Sequence, residues 1–454
     1  MKCLSFFTGL FGLGCVASVQ AQVQKSPDVV LILVDQMIAD GMSCVGNPYA
    51  NTPNLDRIAS QGVLFNRSYV TQPLSAPSRS SLQTGRFPHE VGIVKNSGKI
   101  RRDTPFLAQC VQEAGYRTAY FGKWHVMGIS IGETGYQDGN IKEVDRETTK
   151  SAVRYINERD EQPYFMAVSY MNPHDVCLLA RREALKQGQI EKAPENLNEL
   201  PPLPHNFAIP EKEPQQIRVV QRSSWKHYPT LDWTEKDWRQ YLWGYYRLIE
   251  MVDEEIGHVL DAIQKNGRET MVMFVSDHGE GVAMEHWNQK QILYEQVVNV
   301  PTILARFGKD AKKVGTSEEL VSMSLDVPVT ILDIVGAKKP KEMRGESLYP
   351  LYKSPKKHLK RKYAFAETRF ALGATELGLH GRMVVSDRYK YCVYDRGEIK
   401  EQLFDLKNDP GEKKNLVFDA SAAKVLKEMR KQLVRWAKTT ADTDFNYPSQ
   451  VYVK

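Results

Sequence analysis

Apolar positions follow two rhythms along this chain. Val29-Val-Leu-Ile-Leu-Val34 is an unbroken aliphatic run that ends at Asp35. Such a run, without polar alternation, predicts a strand buried on both faces of a parallel sheet. Further strand-like segments lie at Thr118 to Phe121, Phe165 to Tyr170, Met271 to Ser276 and Pro301 to Ala305. Helical spacing separates them. Thr52-Pro53 supply a cap and a first-turn proline, Leu55, Ile58 and Ala59 share a face, and Gly62 closes the segment. Thr104-Pro105 open a second helix, with Leu107, Cys110 and Val111 on one side and Gly115 at its end. From Tyr245 to Gln264, an apolar stripe runs through Leu248, Met251, Val252, Ile256, Val259, Leu260 and Ile263. Strands alternating with helices predict an α/β fold, a doubly wound and mostly parallel sheet flanked by helices.

The rhythm fades across residues 178 to 240, where Pro194, Pro201, Pro202, Pro204, Pro210 and Pro214 accumulate. This stretch reads as a long insertion, a surface elaboration near the site. Trp225, Trp233, Trp238 and Trp243 are candidates for a sugar-binding wall, with Trp238 and Trp243 read instead as packing a helix into the core. A lysine-rich stretch from Lys353 to Lys362 reads as a linker. Beyond it, Tyr363 to Thr368, Arg382 to Val385, Tyr389 to Tyr394 and Glu401 to Leu406 look like meandering antiparallel strands, followed by a helix from about Ala422 to Thr439. The expected division is an N-terminal α/β domain over 22–355 and a smaller C-terminal α+β subdomain over 356–454.

Composition sets the class. The 454 residues are 42% hydrophobic and 26% charged, enough for a large core and a second unit. A net charge of +6 is compatible with anionic partners, but 61 basic and 55 acidic residues are interspersed, so nucleic acid is not implied. Lys2, the apolar stretch from Leu4 to Val19 and the small side chains of Val19-Gln20-Ala21 read as a signal peptide over residues 1–21. The alternative, a lipoprotein anchored at Cys15, lacks leucine three places before the cysteine. No later apolar run is long enough for a transmembrane segment, so the expectation is a chain exported to a periplasm-like compartment. Of the remaining cysteines, Cys44, Cys110, Cys177 and Cys392 fit neither a zinc motif nor a disulfide scaffold and read as isolated buried thiols.

The residues just beyond each proposed strand carry the chemistry. Asp35 comes after the first, Lys123 and His125 after the second, His174 after the third, and Asp277-His278 after the fourth. In a doubly wound sheet ligands bind beyond the carboxyl ends of the strands. Any one of these residues alone is an ordinary capping or surface group. Together they converge on one edge.

Ser75-Ala-Pro-Ser-Arg-Ser-Ser-Leu-Gln-Thr-Gly-Arg86 resembles, at every defining position, the signature of the sulfatases: Ser or Cys, any residue, Pro, Ser, Arg, two free positions, Leu, one free position, Thr, Gly, Arg. A helix cap explains the serine and Pro77, but not Arg79, Leu82, Thr84, Gly85 and Arg86 together. Asn47 to Asp56, Gly122-Lys-Trp-His125, Asn172-Pro-His-Asp175, Asp277-His-Gly-Glu280 with Lys290, and Leu403 to Leu416 are similar to further family segments, in the family's order. One departure stands out. Many sulfatases carry two consecutive aspartates after the first strand, whereas this chain has Asp35-Gln36, as in the branch resembling choline sulfatases and phosphonate monoester hydrolases.

The resemblance implies that Ser75 is converted to formylglycine (3-oxoalanine), whose hydrate attacks sulfur. It implies one divalent cation, most often calcium in the family with manganese or magnesium as alternatives, held by Asp35, residue 75, Asp277 and His278, with Gln36 as an additional candidate contact. Arg79 and Lys123 match the groups that stabilise the hydrated aldehyde. Lys123, His174 and Lys290 match the donors around the sulfate, and His174 or Lys290 the proton donor to the leaving oxygen. His125 matches the base that releases sulfate from the intermediate. A serine at position 75 implies a radical S-adenosylmethionine maturase as partner and hence an anaerobic bacterium.

His89, His286 and Asp175 stay open between substrate contact and a supporting role. Three functions compete: a sulfatase acting on sulfated carbohydrates of the glycosaminoglycan or mucin type, a phosphonate monoester hydrolase or phosphodiesterase on the same scaffold, and a glycan-binding protein with a dead site. The complete set of candidate ligands argues against the third.

Overall fold

The aliphatic run forms β1 (Asp28–Asp35), buried along its whole length. Its alternate side chains serve two cores. Val29, Leu31 and Leu33 face one side of the sheet, and Val30, Ile32 and Val34 the other. Each such side chain contributes about 1.5–3 kcal/mol by leaving water, so the unbroken run belongs at the centre. The computed structural model describes residues 26 to 451 apart from 159, 355 and 374. The signal peptide over 1–21 and the Cys15 alternative lie outside the described residues.

In chain order the later strands are β2 (Gly62–Phe65), β3 (Ser68–Tyr69), β4 (Arg117–Gly122), β5 (Asp138–Asn140), β6 (Tyr164–Pro173), β7 (Thr270–Ser276), β8 (Thr302–Phe307), β9 (Gly315–Ser317) and β10 (Val321–Ser322). Eight strands pair in the order β5-β4-β6-β1-β7-β8-β2-β9, and β3 pairs with β10 separately. Pairing is parallel from β5 through β7, whereas β8 runs antiparallel to both its neighbours. The helices are α1 (Pro53–Ser60), α2 (Ser75–Thr84), α3 (Pro88–Val91), α4 (Leu107–Glu113), α5 (Asp145–Glu158), α6 (Val176–Ala180), α7 (Gln215–Arg222), α8 (Glu235–Asn266), α9 (Glu295–Val298), α10 (Met323–Val335), α11 (Tyr349–Lys353) and α12 (Ala423–Thr440). α2, α4 and α10 cover one face through Ala76, Leu82, Leu107, Val111, Val327 and Ile331. α1, α5 and α8 cover the other through Leu55, Ile58, Ala152, Ile156, Val252 and Val259.

Several local expectations change. The Thr52 side chain does not cap α1; its Oγ1 accepts the Ser43 N–H at 2.9 Å. α4 begins at Leu107 rather than at Thr104-Pro105, with the Gln109 side chain closing back on the Phe106 N–H at 3.2 Å. α8 begins at Glu235 rather than Tyr245, because Thr234 and Asp237 form a reciprocal cap and Trp238, Tyr241 and Leu242 extend the buried stripe. The insertion is more than surface decoration: Ile217 and Val220 of α7 are core residues. Of the cysteines, Cys110, Cys177 and Cys392 are buried thiols as expected, but Cys44 is exposed.

Beyond the lysine-rich stretch, β11 (Ala364–Leu372), β12 (Thr375–Val385), β13 (Tyr389–Tyr394) and β14 (Glu401–Asp405) form an antiparallel sheet in sequence order. α12 packs on it through Leu426, Met429, Leu433 and Trp436. Gln291, in the loop after β7, exchanges both side-chain hydrogen bonds with the Ala371 backbone, at 2.7 and 3.0 Å, and so ties β11 to the main sheet's carboxyl edge.

Candidate active site

β1, β4, β6 and β7 lie side by side and parallel, so their carboxyl ends meet. Asp35 ends β1, and Asp277 follows β7 with its N–H bonded to the Val34 carbonyl at 3.1 Å. Lys123 follows β4 across Gly122, whose φ of +95° and a distance of 2.0 Å from a hypothetical Cβ to the Ser169 oxygen admit only glycine. α2 begins at Ser75 and aims its first turn, the positive end of its dipole, at the same point.

Arg79, 1% exposed, joins these parts. Its Nε donates to Asp277 Oδ2 at 2.7 Å and its Nη2 to Asp35 Oδ2 at 3.0 Å. Nη1 donates to the Lys123 carbonyl at 2.9 Å and to Ser169 Oγ at 2.7 Å. Lys123 Nζ lies 2.8 Å from Asp35 Oδ2. His278 Nδ1 faces the Gly279 carbonyl at 2.9 Å, an acceptor only, so that nitrogen carries the proton. The unprotonated Nε2 therefore faces Ser75 Oγ at 3.0 Å, Asp277 Oδ1 at 3.6 Å and Asp35 Oδ1 at 3.8 Å.

Electrostatics agree with a cation position among these atoms. Burial, then repulsion from Asp35, pushes the Asp277 carboxyl up to about 7. Burial opposes ionisation of Asp35 as well, but the charged Lys123, Arg79 and Lys290 together hold it well below the usual carboxylate range. Burial, reinforced by Lys290, keeps His278 neutral. Asp35 Oδ1 is buried without a partner. Two carboxylates, a neutral imidazole nitrogen and a hydroxyl oxygen form a donor set that fits one divalent cation.

The remaining candidates join this centre. His125 sits at a left-handed φ of +49° with Nδ1 buried and unpartnered. Burial first, then Lys123 and Arg79, lowers it to about 3, so it is a neutral base. Burial, Lys123 and Lys290 likewise keep His174 neutral. Gln36 does not turn its side chain to the carboxylate pair. Its Nε2 donates to Glu280, and its Oε1 accepts Lys290 Nζ at 2.9 Å. Glu280, fully buried, also accepts the Tyr241 hydroxyl at 2.7 Å and the Gln289 N–H.

Lys290 and His174 form the inner wall of a cavity of about 250 Å3. Asp175 lines it, whereas His89 lies against Glu367 at 3.0 Å and His286 stacks on Phe207 and Trp238 with ring centroids 4.8 and 5.2 Å apart. No tryptophan lines the cavity among the described residues. Trp225 is 80% exposed, Trp233 packs against Trp238 and Tyr241, and Trp238 and Trp243 are buried, so the aromatic wall is absent there. Glu280, Tyr241, Cys177, Arg181, Lys186 and His227 escaped sequence reasoning. Glu280 stands inside a recognised motif, but the others carry no local pattern that separates them from core or surface residues.

A buried cation cage facing a helix-borne serine at the carboxyl edge of an α/β sheet is the architecture of the alkaline phosphatase superfamily. The Sulfatase family model matches residues 27–337, and the model of the N-sulphoglucosamine sulphohydrolase C-terminal region matches residues 284–439. Accordingly, the chain belongs to the sulfatase family. It is 30% identical over 435 residues to the Delta 4,5-hexuronate-2-O-sulfatase of Bacteroides thetaiotaomicron, covering 90% of this chain and 88% of that one. The solved structure of BT1596, a 2-O GAG sulfatase, superposes with a TM-score of 0.80 at 28% identity over 94% of this chain and 96% of its own. The phosphonate monoester hydrolase of Agrobacterium radiobacter shares the fold, with a TM-score of 0.74 at 20% identity over 91% and 96% of the two chains.

Proposed function

We propose that this protein is an exported carbohydrate sulfatase that hydrolyses sulfate esters of glycosaminoglycan-type sugars, with residue 75 matured from serine to formylglycine by a radical S-adenosylmethionine enzyme. The observation that carries this reading is the placement of Ser75 Oγ 3.0 Å from His278 Nε2, beside Asp35 and Asp277. The relatives' names support a sulfated sugar. Asp35, Asp277, His278 and residue 75 would hold one divalent cation, calcium in our reading. The aldehyde and the cation would supply the nucleophilic oxygen and neutralise charge on the sulfuryl group.

The chain's own side chains do the rest. Arg79 fixes both carboxylates and the Lys123 carbonyl, so the centre is assembled before substrate arrives. Lys123, Lys290 and His174 present N–H donors to the sulfate oxygens. A bound sulfate beside His174 raises its proton affinity, and His174 or Lys290 gives the proton to the departing oxygen. His125, neutral and free at Nδ1, takes the proton that accompanies sulfate release.

The test uses protein co-expressed with an anaerobic maturase and a panel of sulfated mono- and disaccharides. Sulfate release is expected, to be lost on chelation and restored by calcium, and absent in Ser75→Ala. Turnover of aryl phosphonate esters exceeding sulfate release would install the phosphonate hydrolase reading that Asp35-Gln36 suggests. Full activity after exhaustive chelation would refute the cation.

A further inference from the structure

Outward from Lys290 and His174, the cavity wall carries three more basic side chains, Arg181, Lys186 and His227, and one acid, Asp175. The chemistry proposed above uses none of them. Asp175 is 1% exposed, and its Oδ2 accepts the backbone N–H groups of Lys186 at 2.6 Å and Gln187 at 2.8 Å. That pair of hydrogen bonds pins the chain so that Lys186 starts from the cavity wall. The other carboxylate oxygen, Oδ1, is buried with no hydrogen-bond partner.

The basic groups are under-neutralised. Arg181 is mostly buried and pairs with Glu183 through Nε at 3.0 Å. Lys186 has no ion-pair partner among the described residues. His227 Nδ1 meets Ser224 Oγ at 2.9 Å, and burial first, then the nearby Arg181, Lys226 and Lys290, lowers its proton affinity. With Arg181, Lys186 and Lys290 on one cavity wall and Asp175 as its only acid among the described lining residues, the wall is suited to an anion. The volume suits a single sugar ring rather than a longer glycan.

Resting on the sulfatase reading, we propose that this cavity is a second anion subsite: the sugar bearing the scissile ester carries another negative group, a carboxylate or a second sulfate. Lys186 and Arg181 receive that group, and Asp175 holds the Lys186 backbone at the cavity wall. The inner wall handles the ester that reacts; the outer wall selects which ring enters.

The experiment compares three matched substrates with the same sulfate ester, differing at one ring substituent: neutral hydroxymethyl, carboxylate, or a second sulfate. Each is tested with matured, metal-loaded wild type and with Lys186→Met, Lys186→Arg and Arg181→Met. Charge-assisted hydrogen bonds of this kind predict that one anionic substrate exceeds the neutral one in kcat/KM by roughly 10- to 100-fold. Whichever anionic substrate wins identifies the group. Lys186→Met and Arg181→Met should collapse that ratio, and Lys186→Arg should retain much of it. A wild type that releases sulfate from all three without preference would overturn the subsite while leaving the sulfatase reading intact. Methionine variants that slow all three substrates equally would overturn it too. Failure to release sulfate from any sulfated sugar would remove both readings together.

Discussion

Arg79 lies between two buried carboxylates, with burial opposing its charge and Asp277 and Asp35 more than restoring it. Removing one partner of a buried ion pair leaves the other uncompensated, at about 3–5 kcal/mol. Arg79→Ala is therefore expected to lower unfolding free energy by about that amount in urea titrations of metal-free protein. Added calcium should recover part of the loss, because a cation among the same oxygens compensates Asp35 and Asp277. A variant as stable as wild type without metal would show that the two carboxylates do not depend on this guanidinium. At the same scale, His125→Ala is expected to release about one equivalent of alcohol per site and then stall, whereas His174→Ala should slow that first release. The opposite pattern, read by rapid-quench kinetics, would exchange their roles. The identities of these residues were legible in motifs. Their protonation was not, since it depends on which charges surround each ring after folding.

Between β7 and α9, Val282, Ala283, Glu285, His286, Gln289 and Gln291 all adopt left-handed φ angles from +42° to +77°. Non-glycine residues in that region cost of order 1–3 kcal/mol each when the conformation is strained, and they persist only where surroundings hold them. Here the insertion holds two of them, Glu285 and His286. Asn206 Nδ2 donates to Glu285 Oε1 at 2.8 Å, its carbonyl accepts the Glu285 N–H at 2.8 Å, Arg218 Nη2 reaches the Glu285 carbonyl at 2.6 Å, and Gln221 reaches the His286 carbonyl at 2.7 Å. The segment so held carries Lys290. Glu285→Ala leaves the Gln296 amide without its buried acceptor and the Asn206 amide with the Gly411 carbonyl alone, an expected cost of about 1–3 kcal/mol for the orphaned group. A lower melting temperature with a raised KM is expected, Lys290 being less well placed. A destabilised variant whose kcat and KM stay at wild-type values would show that the clamp serves stability alone. Proline content and lost periodicity marked the insertion in the sequence, but its partners lie in another part of the chain and left no local pattern.

Helix α3 and the C-terminal sheet are joined by a buried four-charge cluster: His89, Glu367, Arg382 and Asp442. The His89 ring faces acceptors only, Glu367 Oε2 at 3.0 Å through Nδ1 and the Thr440 carbonyl at 3.2 Å through Nε2, while Arg382 pairs twice with Asp442, at 2.7 and 2.8 Å. Burial disfavours the imidazolium, but Glu367 outweighs it and raises His89 above its ordinary 6.5. The folded value exceeds the unfolded one, so this stabilisation is fully present below about pH 6.5 and is lost as pH rises through the folded value. Melting temperatures of wild type and His89→Gln should therefore differ most near pH 6 and converge toward alkaline pH; a constant gap would refute the charged latch. The same three acidic and imidazole side chains fall within metal-ligating distance of one another, yet Arg382 already occupies the place a cation would take. The sequence by itself determined the layered sheet, the central buried strand and the residues at the strand ends, because hydrophobic period and motif spacing are local properties of the chain. Only the tertiary structure decided that Gln36 turns to Glu280 and Lys290, that the insertion braces the Lys290 loop, and that Asp175, Arg181 and Lys186 share a cavity. Those relations join residues far apart in sequence, and the side-chain direction and burial that create them exist only once the chain has closed.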